Sequence, residues 1–450
     1  MAPLGRGFTT TTDAASGVAR GVRGARRIQH NRPVHLDRSE LVDLTCELIA
    51  IDSIGGTPGE QRIQEHLAEA ARGEGWDVHT WAIDVEGTAA RPRFPGMEVD
   101  RTQALGVLAR IPGTGGGRTL LIDGHTDVVP PGDRDAWDAD PFVPRVADVN
   151  GLPSIIGRGA CDMKAGLAAA WQAVRMVRSA GVELRGDILI APVSGEEDGG
   201  LGTYALIDEL ARSGISPDAC VVPEPTNLDL VPANAGALTF RLRVPGAAVH
   251  ASRRAEGVSA IEKFVPLLAA LEELETVRNA SVDPLMDRWS LAYPLSIGTV
   301  SAGDWASTVP DLLIAEGRLG VALDEDTDHA RAALEEAVAR ACERDPWLRD
   351  HPATIEWWGG QFASGRTDPA DAIIETVRRA ASEHIGREPE IYGGPYGSDL
   401  RLLTGLAGIP TVQFGPGDTS YAHAPNEHVV IEDVVSCAVT LADVIIDFCR

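Results

Sequence analysis

The sequence predicts an α/β fold, a mostly parallel β-sheet sandwiched by helices, with a smaller ferredoxin-like α+β unit inserted into it. Three observations predict it. Short apolar runs such as "TLLIDGH", "GDILIAPVSGEE" and "ACVVPEP" are continuous rather than alternating, as strands covered on both faces are. A long helical run, "AGLAAAWQAVRMVRSAG", separates two of them, and strands that alternate with helices build a parallel sheet. Between residues 236 and 358 the order becomes strand, helix, strand, strand, helix, strand, which is the ferredoxin-like pattern.

The elements follow in order. "SELVDLTCELIAI" has helical spacing with Ser39 as its cap, and "GEQRIQEHLAEAARGEG" is a second amphipathic helix ended by glycine. "QALGVLARI" opens the set of continuous strands. In the middle, "ALTFRLRVPG" alternates like a half-exposed strand. "GVSAIEKFVPLLAALEELE" is a helix, "LSIGTVSAG" and "DLLIAEGRLGVAL" are strands, "DHARAALEEAVARAC" is a helix and "ATIEWWG" a strand. The chain then returns to α/β with the helix "DAIIETVRRAASEHIG" and the strand "PTVQFGPG". The expected division is a disordered tail over 1–38, a main domain over 39–235 and 359–450, and the insert over 236–358. The tail is rich in Arg, Gly, Thr and Ala ("GVARGVRGARR") and has no apolar segment of the secretory kind, with an organelle transit peptide as the lesser alternative.

Composition excludes several function classes. A formal net charge of -26 argues against non-specific binding to nucleic acid or anionic lipid, which both need positive surface. Six scattered cysteines without CxxC spacing argue against a disulfide framework or a thiolate zinc site, and fit a reducing cytoplasm. No apolar run reaches the length of about 18 residues that a membrane span needs.

The segment "GACDMKAG" places Asp162 and Lys164 at the mouth of an apolar helix. A charge near a core is costly unless an opposite charge meets it. Helix capping is the plain explanation for Asp162, and a bound cation is the sharper one. Other strand ends supply partners: His125 and Asp127 after "TLLID", Glu196 and Glu197 after "ILIAPVSG", Glu224 in "VVPEPTN", and His423 in the loop after "PTVQFGPG". Each alone reads as a surface cap or a solvated turn, but that explanation must then hold five times at equivalent places. Two His and three carboxylates (Asp162, Glu197, Glu224) without cysteine suit zinc, cobalt or manganese. A catalytic zinc keeps about three protein ligands, so five fit two metals when one carboxylate bridges. Asp162, at an expected helix N-terminus, is the natural bridge. Glu196 then stays uncoordinated as a general base. Asp127, two residues from His125 on an extended segment, can hold the imidazole in its metal-binding tautomer.

Together GHTDVVP, GACDMKAG, GEED, PEPT and HAPNEHV resemble the signature of the di-zinc hydrolase family of acetylornithine deacetylase, succinyl-diaminopimelate desuccinylase, aminoacylase and glutamate carboxypeptidase, over residues 39 to 450 in the family's order. The resemblance implies one zinc on His125, Asp162 and Glu224, and another on Asp162, Glu197 and His423. It implies Glu196 as general base, Asp127 as the acid that orients His125, and a metal-bridging hydroxide as nucleophile. Glu224, rather than Asp, matches the deacetylase-like members. By the same resemblance the insert is a lid and dimerisation domain. His250 in "GAAVHAS" is the lid histidine that reaches the partner subunit's site. Arg401 in "GGPYGSDLR" and Arg318 in "EGR" are substrate-binding candidates. Ser307 stands where the family often has Asn, and Pro395 and Tyr396 interrupt a run that is usually plainer.

The expected function is hydrolysis of the amide bond of a small N-acyl amino acid or N-acyl amine. It would use two divalent metals per chain, zinc ahead of cobalt or manganese, in a cytoplasmic homodimer. Desuccinylase or dipeptidase and carboxypeptidase activity is the alternative within the class. An inactive binding homologue is the remote one, and it predicts missing ligands where none is missing.

Overall fold

A computed structural model describes residues 36–91 and 93–450. The tail expected over 1–38 therefore falls almost wholly outside the described residues, and Arg38 already opens the first helix. That helix, α1 (Arg38–Ala50), is capped by Asp37, whose carboxylate accepts from the amides of Ser39 at 2.9 Å and Glu40 at 3.1 Å. Ser39, the expected cap, lies inside the helix. Thr57 caps α2 (Pro58–Gly73), with proline at its first position, where no amide is missed.

The chain continues through β1 (Asp77–Ala82), α3 (Val85–Ala89), β2 (Leu105–Ile111), β3 (Leu120–His125), β4 (Arg145–Val149), β5 (Leu152–Ile156), α4 (Ala165–Ser179), β6 (Ile188–Val193), α5 (Leu201–Ser213), β7 (Ala219–Val222) and β8 (Leu230–Asn234). The insert carries β9 (Gly236–Pro245), α6 (Ala260–Arg278), β10 (Leu295–Ala302), β11 (Leu312–Val321), α7 (Thr327–Arg344) and β12 (Thr354–Phe362). After it come β13 (Gly365–Arg366), α8 (Ala372–His384), β14 (Ile391–Gly394), α9 (Leu400–Ala407), β15 (Thr411–Gln413), β16 (His428–Val430) and α10 (Ile431–Cys449).

The main sheet has nine strands in the order β1-β2-β6-β3-β7-β15-β8-β13, with β14 also on β8. Its centre, β6-β3-β7-β15, is parallel, and antiparallel pairs flank it. β3, β6 and β7 are buried along their whole length, which is why their sequences do not alternate. Successive residues serve opposite faces. Leu120 and Ile122 of β3 join the core under α1, α4, α8 and α10, while Leu121 joins the core under α5 and α9.

The insert is a four-stranded antiparallel sheet, β10-β11-β9-β12, with α6 and α7 over one face. Leu238, Phe240, Leu242 and Val244 of β9 point into that core at every second position. Its last strand runs to Phe362, beyond the expected limit of 358. β10 is an outer edge and mostly exposed. Glu98, on the loop before β2, ties the insert down: its Oε1 accepts from Thr239 Oγ1 (3.0 Å), Arg318 Nη2 (2.9 Å) and the Gly360 amide (3.2 Å). A third sheet, β16-β5-β4, has no counterpart in the sequence reading. Among the described residues no helix is long and apolar enough to cross a membrane.

Candidate metal centre and active site

The expected residues gather beyond the carboxyl ends of the parallel strands. His125 is the last residue of β3, Glu196 and Glu197 follow β6, and Glu224 follows β7. His423 comes from the loop between β15 and β16. Asp162 departs from expectation. It is not a helix cap but lies in a wide turn, Ala160–Lys164, with extended dihedrals (φ −118°, ψ 99°), and α4 starts only at Ala165. The physical reason is that the amides of Cys161 and Asp162 are bound by the Glu427 carboxylate at 2.9 and 3.1 Å. Lys164 does not meet Asp162 either. It is fully buried and donates to the carbonyls of Leu48 and Ile51 at the end of α1, both at 2.9 Å, with its pKa pushed down to about 7 by burial.

The two oxygens of Asp162 face two imidazoles. Oδ1 is 2.9 Å from His125 Nε2, and Oδ2 is 3.4 Å from His423 Nε2. Glu197 Oε2 lies 3.0 Å from His423 Nε2, and Glu224 Oε1 lies 3.8 Å from His125 Nε2. Candidate ligand atoms of His125, Glu196 and Glu224 lie within 4.8 Å of one another, as do those of His125, Asp162 and Glu197. Burial alone would raise the Asp162 carboxyl, but hydrogen bonds from His125 and His423 hold it well below the usual range. The other carboxyls are pushed up: Glu196 by burial and then by Asp399, Glu197 and Glu224 by burial and then by Asp162. Buried acids thus crowd a place with two imidazoles as nearby bases, and the shortage of positive charge is what divalent cations would fill. The nitrogen and oxygen donor set fits such ions.

Asp127 also departs from expectation. His125 Nδ1 donates to the backbone carbonyl of Asp127 at 2.9 Å, while the carboxylate stands 4.0 Å away. The carboxylate instead accepts from the amides of Glu196 (3.3 Å) and Glu197 (3.2 Å) and so pins the turn that carries both acids. The buried carboxylate needs donors, and the turn supplies two. The carbonyl still leaves Nε2 of His125 free for a metal.

A pair that sequence reasoning missed supports the centre from below. Arg158 and Glu427 are each 1% exposed. Arg158 Nη1 meets Glu427 Oε2 at 2.5 Å, and its Nη2 donates to the carbonyl of His423 at 3.2 Å. His423 has a φ of 62°, in the left-handed region, so an anchor on its carbonyl matters. Glu427 is pushed up to about 7 by burial. Behind His125, the hydroxyl of Thr203 lies 3.0 Å from Asp123 and 2.6 Å from Asp399, both buried.

The remaining candidates stand apart. Arg401, expected to meet a substrate carboxylate, is 3% exposed. It donates to the carbonyls of Ser398 (2.5 Å) and Gly199 (2.9 Å) and stacks 4.0 Å over Phe362, because the start of α9 turns it inward. Arg318 pairs not within its own sheet but with Glu98. His250 is exposed and caps the short turn Ala251–Glu256, with Nδ1 2.8 Å from Ser252 Oγ. No hydrogen bond or ion pair joins it to the cluster around Asp162 among the described residues.

The family model described as Peptidase family M20/M25/M40 matches residues 121–447. N-formyl-4-amino-5-aminomethyl-2-methylpyrimidine deformylase of Bacillus subtilis is 30% identical over 364 residues, covering 74% of this chain and 79% of the relative. Succinyl-diaminopimelate desuccinylase of Gluconacetobacter diazotrophicus is 30% identical over 402 residues, covering 87% and 93%. Among solved structures, a tripeptidase of Staphylococcus aureus has the same fold, with a TM-score of 0.70 at 20% identity over 92% of this chain and 99% of that one. The chain belongs to Peptidase family M20/M25/M40 and is a hydrolytic enzyme.

Proposed function

We propose that the chain hydrolyses the amide bond of a small N-acyl amino acid or N-acyl amine, with two divalent metals held by His125, Asp162, Glu197, Glu224 and His423. The observation that carries this reading is the Asp162 carboxylate, one oxygen toward each histidine, with Glu197 and Glu224 on either side. The metals, zinc ahead of cobalt or manganese, would polarise the amide carbonyl and make water nucleophilic at neutral pH. Asp162, with one oxygen toward each histidine, would help hold both metals, and His125 presents Nε2 because Nδ1 is engaged. Glu196, its carboxyl raised by burial, takes a proton from the attacking water and returns it to the leaving amine. Asp127 holds the Glu196 turn in place. The deformylase and desuccinylase relatives, both named for removing an acyl group, support the substrate class. Desuccinylation is the second reading, favoured by the longer span of that relative.

The reading extends to a homodimer through the insert, with His250 completing the partner's site. Supporting it, β10 is an edge unpaired among the described residues, Val300 on it is 53% exposed, and Trp305 just after it is 74% exposed. Six free cysteines support a reducing, cytoplasmic setting.

The test is a screen of N-acetyl, N-formyl and N-succinyl amino acids, N-acyl amines and dipeptides on protein reconstituted with zinc or cobalt. Chelation should abolish hydrolysis, and either metal should restore it. Glu196→Gln should cut turnover by at least about 10²-fold while keeping the metal, the scale of a general acid–base group. Glu197→Gln should lose metal. Full activity in protein shown by elemental analysis to be metal-free would overturn the reading.

A further inference from the structure

We infer that Glu98 is a positioning residue for Glu196: gripped by three strands of the insert and joined through its backbone to Asp198, it makes the docking of the insert decide where the proposed base stands. The inference rests on the amide-hydrolase reading above, which makes Glu196 the base, and deepens it by naming what holds that base in place.

The grip is on one atom. Glu98 Oε1 accepts from Thr239 on β9, Arg318 on β11 and the amide of Gly360 on β12. A mere staple between two units would be complete at that point. Here the same residue continues into the active site. The amides of Glu98 and Val99 both donate to Asp198 Oδ2, at 3.1 and 2.9 Å. Asp198 directly follows Glu197 in the turn after β6.

Asp198 has a second partner. Its carboxylate receives Nη1 and Nη2 of Arg101, each at 2.8 Å. Arg101 also donates from Nε and Nη2 to the Glu60 carboxylate on α2, both at 2.9 Å. All three side chains are buried, and a buried carboxylate that loses its donors stays unpaired, so the cluster holds one arrangement. The guanidinium lies against Gly195, the residue before Glu196, where an added Cβ would stand 3.2 Å from its Cζ. Glu196 thus stands between two points, Gly195 and Asp198, that the cluster fixes.

The backbones leave no slack. A Cβ on Gly96 would land on the carbonyl oxygen of Gly359 in β12, and a Cβ on Gly199 would land on the carbonyl oxygen of Gly96. Insert, loop and acid turn are therefore stacked backbone on backbone, and beside them the amide of Gln361 donates to the carbonyl of Pro95 at 2.6 Å. Close-packed groups pass a displacement on rather than absorb it. Arg401 makes a second link, donating to the carbonyl of Gly199 while it stacks on Phe362 at the end of β12. A general base must stand within hydrogen-bond reach of the water it serves, and a displacement of about 1 Å can cost on the order of 10²-fold.

The experiment is a double-mutant cycle on the zinc-saturated enzyme, with the N-acyl amino acid that the screen above finds cleaved fastest. Glu98→Ala should lower kcat by about tenfold or more, while KM and zinc content stay at wild-type values. Glu98→Gln keeps an oxygen for Thr239 and Gly360 and should recover most of that loss. In a Glu196→Gln background, where no base is left to position, Glu98→Ala should cost less than about twofold further. Should Glu98→Ala misfold by circular dichroism, Thr239→Val removes one donor from the grip at nearly constant shape and should show the same pattern with a loss of about threefold. An unchanged kcat, an equal loss in both backgrounds, or a loss that appears in KM or zinc content instead overturns the positioning role and leaves the amide-hydrolase reading standing. A Glu196→Gln variant with wild-type turnover, or a zinc-loaded enzyme that cleaves no N-acyl compound, removes both.

Discussion

Glu427 gives one carboxylate oxygen to the amides of Cys161 and Asp162 and the other to Arg158, whose second nitrogen holds the carbonyl of His423. One buried ion pair therefore sets the backbone at two of the proposed ligands. Breaking such a pair by removing one partner costs about 3–5 kcal/mol, because the other charge stays buried and alone. Arg158→Met should lower the melting temperature by several degrees and drop the metal content, proposed as two per chain, toward one, read by elemental analysis. A variant that keeps both metals at wild-type affinity would show that the pair only fills space. The ligand types were legible in the sequence because strands that end at one edge of a sheet bring their next residues together. Arg158 stands just before "GACDMKAG" and Glu427 inside "HAPNEHV", but 269 positions separate them, and nothing local says which charges pair. Asp127 was legible as a neighbour of His125 but not in its contact, since turn dihedrals decide whether carbonyl or carboxylate meets the ring. Arg401 was singled out by resemblance alone, and no local signal in the sequence says that the backbone carbonyls of Ser398 and Gly199 receive it.

Helix α4 shows how an element and a loop constrain each other. Gly166 is its second residue, and a Cβ there would land on the carbonyl oxygen of Pro223, next to Glu224. Alanine in place of glycine ordinarily stabilises a helix by about 1 kcal/mol. Overpacking against backbone typically costs about 1–3 kcal/mol, and this oxygen cannot swing aside as a side chain can. Gly166→Ala should therefore lower the melting temperature and the metal content together. Gly73→Ala, at the end of α2 with nothing near the added methyl, should be neutral or slightly stabilising, and differential scanning calorimetry of the two variants checks the contrast. Among elements, the continuous apolar strands were the readable ones, as full burial leaves no alternation to misread. Helix α1 was found with its cap misplaced by two residues, since Asp37 and Ser39 are both good caps. The β4–β5 hairpin went unread although its signal was present. Asn150 and Gly151, both at positive φ, close a two-residue turn between Val149 and Leu152, and Asn-Gly is the strongest short hairpin signal.

At the scale of the whole molecule, the exposed β10 edge and a His250 that, among the described residues, makes no hydrogen bond or ion pair to the cluster raise the same question, and a mixed dimer answers it. Glu196→Gln chains retain His250, and His250→Ala chains retain Glu196. Co-refolded, they should recover up to about one quarter of wild-type activity per chain, since random pairing makes half the dimers mixed and each has one complete site of two. No recovery in verified heterodimers, or a monomer by light scattering, would remove the trans role. The insert was legible as a unit because its strands alternate where those of the main sheet do not. The place of β16 in the sheet β16-β5-β4 was not, because it comes from a part of the chain distant from the hairpin it joins. That same dispersal has a consequence for how the protein is made. His125, Asp162 and Glu224 precede the insert, and His423 follows it. During synthesis neither proposed metal position is complete early: one needs His423, the other needs Glu427 to set the backbone of Asp162, and both wait until the insert has folded and the chain has closed the loop around it, the slow kind of closure. A zinc pair would then act as a seal on a finished molecule rather than a seed for it. A chain stalled inside the insert would hold the carboxylates of an acidic pocket with nothing to close it.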